Sequence, residues 1–261
     1  MMPIRDMRPT GRLEQPIDES RIVYQSDACM VINKLPGESA EGSFREGAGK
    51  GMIDLPRLLT EQFGVAEGAF TAVHRLDVPV SGCTLFARTP AALSFLNAAF
   101  AAGRVQKHYW AIVEMPDPGM DLPSAETIGR GSPPETGELI HWLETDRRQN
   151  KSIAFSEKGP GRKRAILRYR ISGRGINYLF MEIELVTGRH HQIRAQLASL
   201  GLHIKGDLKY GAKRSEKAGG IRLHAHSLRF PATGEYIMVR ASPPLRDRLW
   251  EDFEKSLPPR N

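Results

Sequence analysis

Three short segments hold most of the side chains in this sequence that could take part in chemistry. His74-Arg75-Leu76-Asp77 ends an apolar run and places a carboxylate beside basic groups. Lys107-His108-Tyr109 opens a second apolar run, and residues 187–211 are dense in basic and hydrogen-bonding side chains. A carboxylate can act as a nucleophile or as a general base. Asp77 is therefore the first candidate catalytic residue, although the segment alone favours an aspartate that merely caps a turn before Pro79.

The segments resemble, in this order, the signatures of the RluA-type family of pseudouridine synthases. The matching motifs are VINKLPG (31–37), HRLDVPVSG (74–82), KHYWAIVE (107–114), TGRHHQIR (187–194), IKGDLKYG (204–211) and RLHAHSLRFP (222–231). One such motif is weak evidence, whereas several in the right order are strong evidence. Leu35, Val80 and His190 depart from the family pattern, but none of them replaces a group with a known chemical role.

The resemblance implies an RNA enzyme that converts uridine to pseudouridine without a cofactor. The uracil must leave C1′ of the ribose through N1, rotate, and reattach through C5. Asp77 corresponds to the family's catalytic aspartate, and the sequence leaves open whether it acts as nucleophile or as base. The target base must also be extruded from folded RNA, which costs a few kcal/mol.

The resemblance also implies partners for Asp77. Arg194 is expected to pair with this carboxylate and to orient it through two hydrogen bonds. Tyr109 is expected to stack on the flipped uracil, with an ordinary core tyrosine as the competing interpretation. Arg75 could fill the place that the base vacates, and a structural salt bridge is the alternative for it.

Basic and polar residues around these positions are predicted to grip the RNA backbone rather than to read bases. The predicted RNA-binding residues are His74, Arg75, Lys107, Arg189, His190, His191, Gln192, Lys205 and Lys209. A solvated basic face without a partner is the competing interpretation for the cluster in residues 187–214.

Composition agrees with a soluble RNA-binding enzyme. The 261 residues carry a net charge of +7, which favours a polyanionic partner, although a merely soluble basic surface explains the charge about equally well. Cys29 and Cys83 are too few for a disulfide framework and indicate buried thiols in a reducing cytoplasm. The sequence shows no apolar run of membrane-spanning length and no secretory signal. We expect a cytoplasmic protein, a monomer, that uses no metal and no small-molecule cofactor.

The pattern of elements predicts an α+β fold, with a single catalytic domain around a large mixed, mostly antiparallel sheet. Strand-like segments outnumber helices and mostly follow one another directly. Flanking helices are predicted in residues 53–64, 89–103 and 190–201, with a fourth from near Pro244. The active-site cleft is expected to lie across the sheet. Residues 1–20 are predicted to be a flexible arm, too short for an N-terminal S4 domain, and residues 21–261 the catalytic domain.

Two other function classes compete with this interpretation. A noncatalytic RNA-binding protein on the same scaffold would remodel RNA without isomerising it. A metal-dependent hydrolase could use His190, His191, His203, His224 and Asp207, but no established ligand spacing is present. The sequence leaves open whether ribosomal or transfer RNA is the substrate.

Overall fold

The computed structural model describes residues 16–41, 53–116, 133–232 and 234–258. The strands in these ranges are β1 (Ile22–Gln25), β2 (Cys29–Lys34), β3 (Glu38–Ser39), β4 (Ile53–Asp54), β5 (Thr71–Ala72), β6 (Ser81–Ala87), β7 (Gln106–Glu114), β8 (Thr136–Asp146), β9 (Lys151–Phe155), β10 (Lys163–Arg174), β11 (Tyr178–Leu185), β12 (Leu223–Pro231) and β13 (Tyr236–Arg240). The α-helices are α1 (Leu55–Phe63), α2 (Pro90–Ala101), α3 (Gln192–Ala198) and α4 (Arg248–Ser256).

Eleven of the strands in the described ranges form one sheet. Its order is β1-β2-β6-β12-β7-β11-β10-β8-β9, with β13 beside β12 and β5 beside β6. Every pairing in this sheet is antiparallel except that of β6 with β12, which is parallel. Strands β3 and β4 form a separate parallel pair. The predicted α+β fold with a mixed, mostly antiparallel sheet is confirmed.

The parallel junction between β6 and β12 depends on a glycine. Gly82 adopts φ +117°, and a Cβ at this position would lie 2.4 Å from the carbonyl oxygen of Ala225. A side chain here would therefore force the two strands apart, in addition to straining the backbone. Because β6 begins four residues after Asp77, this close contact also fixes the start of the strand that follows the candidate catalytic residue.

N-cap side chains determine where three of the helices begin. Asp54 and Thr89 accept hydrogen bonds from backbone N–H groups of α1 and α2, as expected for N-cap residues. The prediction that the last helix begins near Pro244 was wrong, because the first helical residue is Arg248. The Asp247 side chain caps α4 through the N–H of Trp250 at 3.2 Å, whereas Leu245 lies outside the helix.

The sheet is covered on both faces. On one face, Tyr109 and Met181 pack with Ile193 and Leu197 of α3. On the other face, Trp110 packs with Phe253 of α4. The side chains of β11 alternate, because Met181, Ile183 and Leu185 are buried while Glu182 and Glu184 are more exposed. The face covered by α3 is the one that carries Tyr109.

Most of the predicted arm and two internal segments lie outside the described residues. These segments are residues 1–15, 42–52 and 117–132. Ile17, at the edge of the arm, is buried and exchanges two hydrogen bonds with the side chain of Gln62 in α1. No helix in the described ranges is both long enough and apolar enough to cross a bilayer.

Candidate active site

Asp77 lies on the wall of a cavity of about 340 Å³ beside the centre of the sheet. The N–H of Val80 donates to the Asp77 carbonyl at 2.9 Å and closes a turn that leads into β6. The Asp77 side chain is 19% exposed, so its carboxylate remains accessible from the cavity. The cavity falls in the size range of roughly 300–1,000 Å³ that is usual for ligand pockets.

Arg194 of α3 reaches Asp77 and fixes one of its oxygens. Its Nη1 donates to Asp77 Oδ2 at 3.0 Å, across 117 residues of sequence. Within the described residues, no hydrogen bond falls on Asp77 Oδ1, so that oxygen is left for a ligand. The predicted pairing of Arg194 with Asp77 is present in the structure, but with one hydrogen bond instead of two.

Arg194 makes its bidentate contact with Asp207 and not with Asp77. Nε donates to Asp207 Oδ2 at 2.7 Å, and Nη2 donates to Oδ1 at 2.8 Å. Asp207 is only 2% exposed and does not line the cavity. A carboxylate so deeply buried requires a geometrically matched cation, which explains why it takes the bidentate contact. Our expectation that both bonds reach Asp77 was wrong for this reason.

His191 forms the second contact of Asp77. It adopts a left-handed backbone conformation with φ 50°, and its Nε2 lies 3.6 Å from Asp77 Oδ2. Burial, together with the charge of Arg194, lowers the pKa of His191 to about 2, so the ring is neutral at neutral pH. Its Nδ1 lies 3.0 Å from the Tyr210 hydroxyl. His191 therefore abuts the carboxylate without contributing a charge.

Ser152 of β9, a strand distant in sequence, holds the segment that carries His190 and His191 in place through hydrogen bonds. The Ser152 hydroxyl donates to the His190 carbonyl at 2.7 Å, and the Ser152 N–H donates to the Tyr210 hydroxyl at 2.8 Å. The rings of His190 and His191 stack at 3.8 Å between centroids. Sequence reasoning missed Ser152 and gave no role to Tyr210, and an isolated serine in a strand carries no signal for such a contact.

Tyr109 and Lys107 project from β7 into the same cavity. Burial, and secondarily the charge of Asp77, raises the pKa of Tyr109, which keeps its phenol protonated. In the described part of the chain, its hydroxyl makes no hydrogen bond, so it is free to meet a ligand. The site thus combines an accessible carboxylate with a neutral aromatic ring and several cations.

The comparison with known proteins agrees with this geometry. Residues 52–199 match the family model described as RNA pseudouridylate synthase. The chain is 34% identical over 219 residues to an uncharacterized RNA pseudouridine synthase of Zymomonas mobilis, covering 82% of this chain and 88% of that protein.

The chain belongs to the RNA pseudouridine synthase family.

Further relatives support this assignment. The synthase is 31% identical to the ribosomal large subunit pseudouridine synthase C of Haemophilus influenzae, over 86% of this chain and 65% of that protein. The fold is shared with the human RNA pseudouridylate synthase domain containing 4, with a TM-score of 0.64, 21% identity, and coverage of 92% and 93% of the two chains. The resemblance to RluA-type synthases is thereby confirmed, and the chain is an isomerase that acts on RNA.

Most of the predicted site residues of the synthase line the cavity. Those residues are Asp77, Tyr109, Arg194, His74, Arg75, Lys107, Arg189, His190, His191 and Gln192. Lys205 and Lys209 do not line it. Lys205 donates to Glu216 at 2.5 Å, and Lys209 donates to the backbone carbonyls of Gln149 and Asn150. These two lysines were placed in the site because they are close to it in sequence, but their side chains are engaged elsewhere.

Two of the predicted RNA contacts are occupied by internal hydrogen bonds. His74 Nε2 accepts from the Leu85 N–H at 3.2 Å, and its ring stacks on Phe100 at 5.2 Å. Burial lowers the pKa of His74 to about 3, which leaves it neutral. Gln192 is buried, and its amide bonds Thr187, Arg189, Ile166 and Gln196. Both side chains hold the walls of the cavity in place.

Lys34 supports the Asp77 turn and was not among the predicted site residues. Its Nζ donates to the carbonyls of Leu35 and Glu38 at 2.9 Å, and to that of Val78 at 3.1 Å. The side chain is fully buried, and burial lowers its pKa to about 8. The only earlier signal was its place in the motif of residues 31–37.

The histidines of the metal-hydrolase alternative are engaged in other contacts. His224 lies 2.9 Å from both the Ser81 hydroxyl and the Ala241 carbonyl, one at each ring nitrogen. His203 Nδ1 lies 2.6 Å from the Tyr210 carbonyl. Among the described residues, no three His, Cys, Asp or Glu side chains are grouped as metal ligands would be. These histidines stabilise the fold.

Proposed function

We propose that the chain isomerises uridines of ribosomal RNA to pseudouridine, with Asp77 as the catalytic residue. The observation that carries this proposal is the accessible Asp77 carboxylate, held through Oδ2 by Arg194 inside a cavity that also contains Tyr109. Relatives that include a ribosomal large subunit pseudouridine synthase support ribosomal RNA as the substrate. Transfer RNA is the alternative substrate.

The reaction begins when the target uridine leaves its helix and enters the cavity. The Tyr109 ring provides a face for stacking, an interaction worth about 1–3 kcal/mol per base. Such a gain offsets a large part of the few kcal/mol that extrusion costs. Because its phenol stays protonated, Tyr109 can donate a hydrogen bond to the base or the ribose but adds no negative charge beside Asp77.

Asp77 then assists cleavage of the bond between C1′ and N1. Its carboxylate acts on the ribose as a nucleophile or as a general base, and both routes require the ionised form. The guanidinium of Arg194 compensates that charge and fixes the orientation of Oδ2. The detached uracil rotates within the cavity and reattaches to C1′ through C5, which displaces the Asp77 carboxylate where it has bonded to C1′. C5 loses its hydrogen as a proton, and N1, which has lost its bond to C1′, takes up a proton.

Arg75 stands at the edge of the cavity, where it would contact the RNA helix. Its Nη1 lies 3.3 Å from Glu41 Oε2, and both side chains are more than half exposed. An exposed ion pair of this kind is worth only about 0–1 kcal/mol, so it can open at little cost. We infer that Arg75 occupies the space that the base vacates. Arg75→Ala should then lower turnover more on folded RNA than on an unstructured oligonucleotide, and equal losses would contradict this role.

The function is tested by release of tritium from C5-labelled uridine in unmodified transcripts. Large-subunit ribosomal RNA and a transfer RNA pool are offered separately to wild type, Asp77→Asn and the exposed control Asp27→Asn. We expect release from ribosomal RNA by wild type and by the control only. Release from transfer RNA alone would correct the substrate. Tight RNA binding without release by wild type would favour the noncatalytic RNA-binding alternative.

A further inference from the structure

Lys107 places an ammonium group in the cavity without a carboxylate partner. It projects from β7 two residues before Tyr109, and its Nζ lies 5.9 Å from the centre of the Phe100 ring. Within the described ranges, no acidic side chain pairs with it or acts on its charge. A half-buried cation without a counterion is costly, and proteins rarely keep one unless a ligand supplies the missing charge.

Gly188 makes room for this ammonium group. A Cβ at residue 188 would lie 3.2 Å from Lys107 Nζ, closer than an ordinary van der Waals contact. The loop that follows β11 therefore approaches Nζ through its backbone. A side chain at residue 188 would crowd Nζ, whereas glycine leaves the ammonium group room to meet an anion.

Arg189 adds a second cation beside the first. Its Nε donates to the carbonyl of Arg164 at 3.1 Å, which holds the side chain at the cavity wall. The charge of Arg189 acts on Lys107 and, after burial, is the second reason that the pKa of Lys107 falls to about 8. Uracil is neutral and cannot relieve this repulsion, whereas an anion between the two side chains would relieve it.

We propose that Lys107 and Arg189, with the backbone at Gly188, form a subsite for one phosphodiester of the RNA next to the flipped uridine. This inference rests on the proposed function, because the base is placed against Tyr109 and Asp77 in the same cavity. The subsite would grip the backbone at the nucleotide being modified. It contributes affinity and register rather than base recognition, since every nucleotide carries the same phosphate.

The first test compares Lys107→Gln with Lys107→Arg, Gly188→Ala and the control Lys255→Gln. Lys255 is exposed on α4, on the opposite face of the sheet. With C5-tritiated ribosomal transcripts, we expect Lys107→Gln to raise KM about tenfold while kcat stays within about threefold, as for loss of uniform binding. Gly188→Ala should raise KM less, and Lys107→Arg should restore it.

The dependence of RNA binding on salt gives a readout that a structural role would not change. Each phosphate contact contributes about 0.7–0.9 to the slope of log affinity against log salt concentration. We expect the slope of Lys107→Gln to fall by about one contact and that of Lys255→Gln to stay at the wild-type value. Equal slopes for these two variants, or a loss confined to kcat, would overturn the proposal.

The pH dependence of KM provides a second readout. The free ammonium of Lys107 loses its proton near pH 8, so KM of wild type should rise between pH 7 and 9. Arg189 faces Lys107 from the loop after β11 and acts on its charge. His74 faces it from the segment after β5, and its pKa of about 3 keeps it neutral throughout this window. KM of Lys107→Arg should stay flat there, and a rise that persists in this variant would contradict the assignment.

Failure of the subsite and failure of the proposed function are distinguishable. If wild type releases no tritium from ribosomal RNA, the proposed substrate is wrong, and filter binding of the same transcripts decides the subsite through the salt slopes. If wild type releases tritium and Lys107→Gln matches Lys255→Gln in KM and slope, only the subsite is wrong. If wild type neither reacts with nor binds these transcripts, both are wrong.

Discussion

Replacing Asp207 by asparagine tests whether Arg194 must be held in position for the reaction. Asp207 lies outside the cavity lining, so the substitution removes no group that lines the site. The Asp207 carboxylate accepts two charge-assisted hydrogen bonds from Arg194, at 2.7 and 2.8 Å. The amide is almost the same shape, but it can accept only one of them. Its NH₂ group would face a guanidinium N–H, donor against donor. Arg194 would also lose its buried counterion and keep only Asp77.

The expected losses follow from these contacts. Breaking a buried ion pair costs about 3–5 kcal/mol, and the retained hydrogen bond places Asp207→Asn near the lower end. A loss of about 3 kcal/mol lowers the melting temperature by about 6–12 °C in a chain of this size. If Arg194 moves by about 1 Å, kcat should fall about 100-fold. KM should change little, because Asp207 is buried and lies outside the cavity lining.

Asp247→Asn is the matched control. Asp247 accepts two hydrogen bonds from the guanidinium of Arg222, from Nη1 at 3.0 Å and from Nη2 at 2.5 Å, and its side chain is 35% exposed. This pair lies at the start of α4 and outside the cavity lining. Asp247→Asn should therefore lower the melting temperature and leave kcat unchanged. Tritium release at 25 °C and thermal unfolding by circular dichroism measure the two quantities.

Two outcomes would refute this reasoning. A wild-type kcat in Asp207→Asn would show that the fork does not position Arg194 for the reaction. An equal fall of kcat in Asp207→Asn and Asp247→Asn would show that general stability, and not the position of the guanidinium, limits activity. Rescue of kcat by Asp207→Glu is not expected, because the longer side chain cannot fit the same buried space.

Three further predictions concern the stacking ring, the strand junction and the buried histidines. Tyr109→Phe should keep most of the RNA affinity, whereas Tyr109→Leu should lose about 1–3 kcal/mol of binding free energy, measured by filter binding. Equal losses of affinity in the two variants would contradict stacking. Gly82→Ala should cost more than about 3 kcal/mol in urea unfolding, whereas Gly37→Ala, at φ +92° in open space, should cost about 1–2 kcal/mol. Burial depresses the pKa of His74 to about 3 and that of His224 to about 4, so both take up protons on unfolding below pH 6.5 and their stabilising contribution is lost as the pH falls. These two histidines together should lower the free energy of unfolding by about 3 kcal/mol between pH 6.5 and 5.0, and a flat profile would contradict this expectation.

The local features of the fold could be predicted from the sequence because their causes are local. The cap of α2 at Thr89 and the alternation along β11 each depend on residues a few positions apart. The resemblance of the motifs predicted that Asp77 and Arg194 pair, although they are 117 residues apart in sequence. The start of α4 was missed because Asp247 was not recognised as its N-cap.

The supports of the site could not be predicted in the same way. Whether Arg194 directs its fork to Asp77 or to Asp207 depends on which carboxylate is buried, and burial is a property of the assembled fold. The brace from Ser152 to His190 joins two segments that carry no common pattern. Lys205 and Lys209 were wrongly assigned to the site because they are close to it in sequence. Their side chains do not line the cavity.

The position of β12 has a consequence for how the enzyme is made. In the described sheet, β12 is the strand that joins β6, which follows Asp77, to β7, which carries Tyr109. During synthesis β6 and β7 emerge from the ribosome long before residues 223–231, so each strand has an unpaired edge on the nascent chain. The two edges can be closed only when β12 inserts between them. A ribosome that stalls before this strand would leave two half-sheets, each with an edge open to association with other chains, and no closed catalytic cleft.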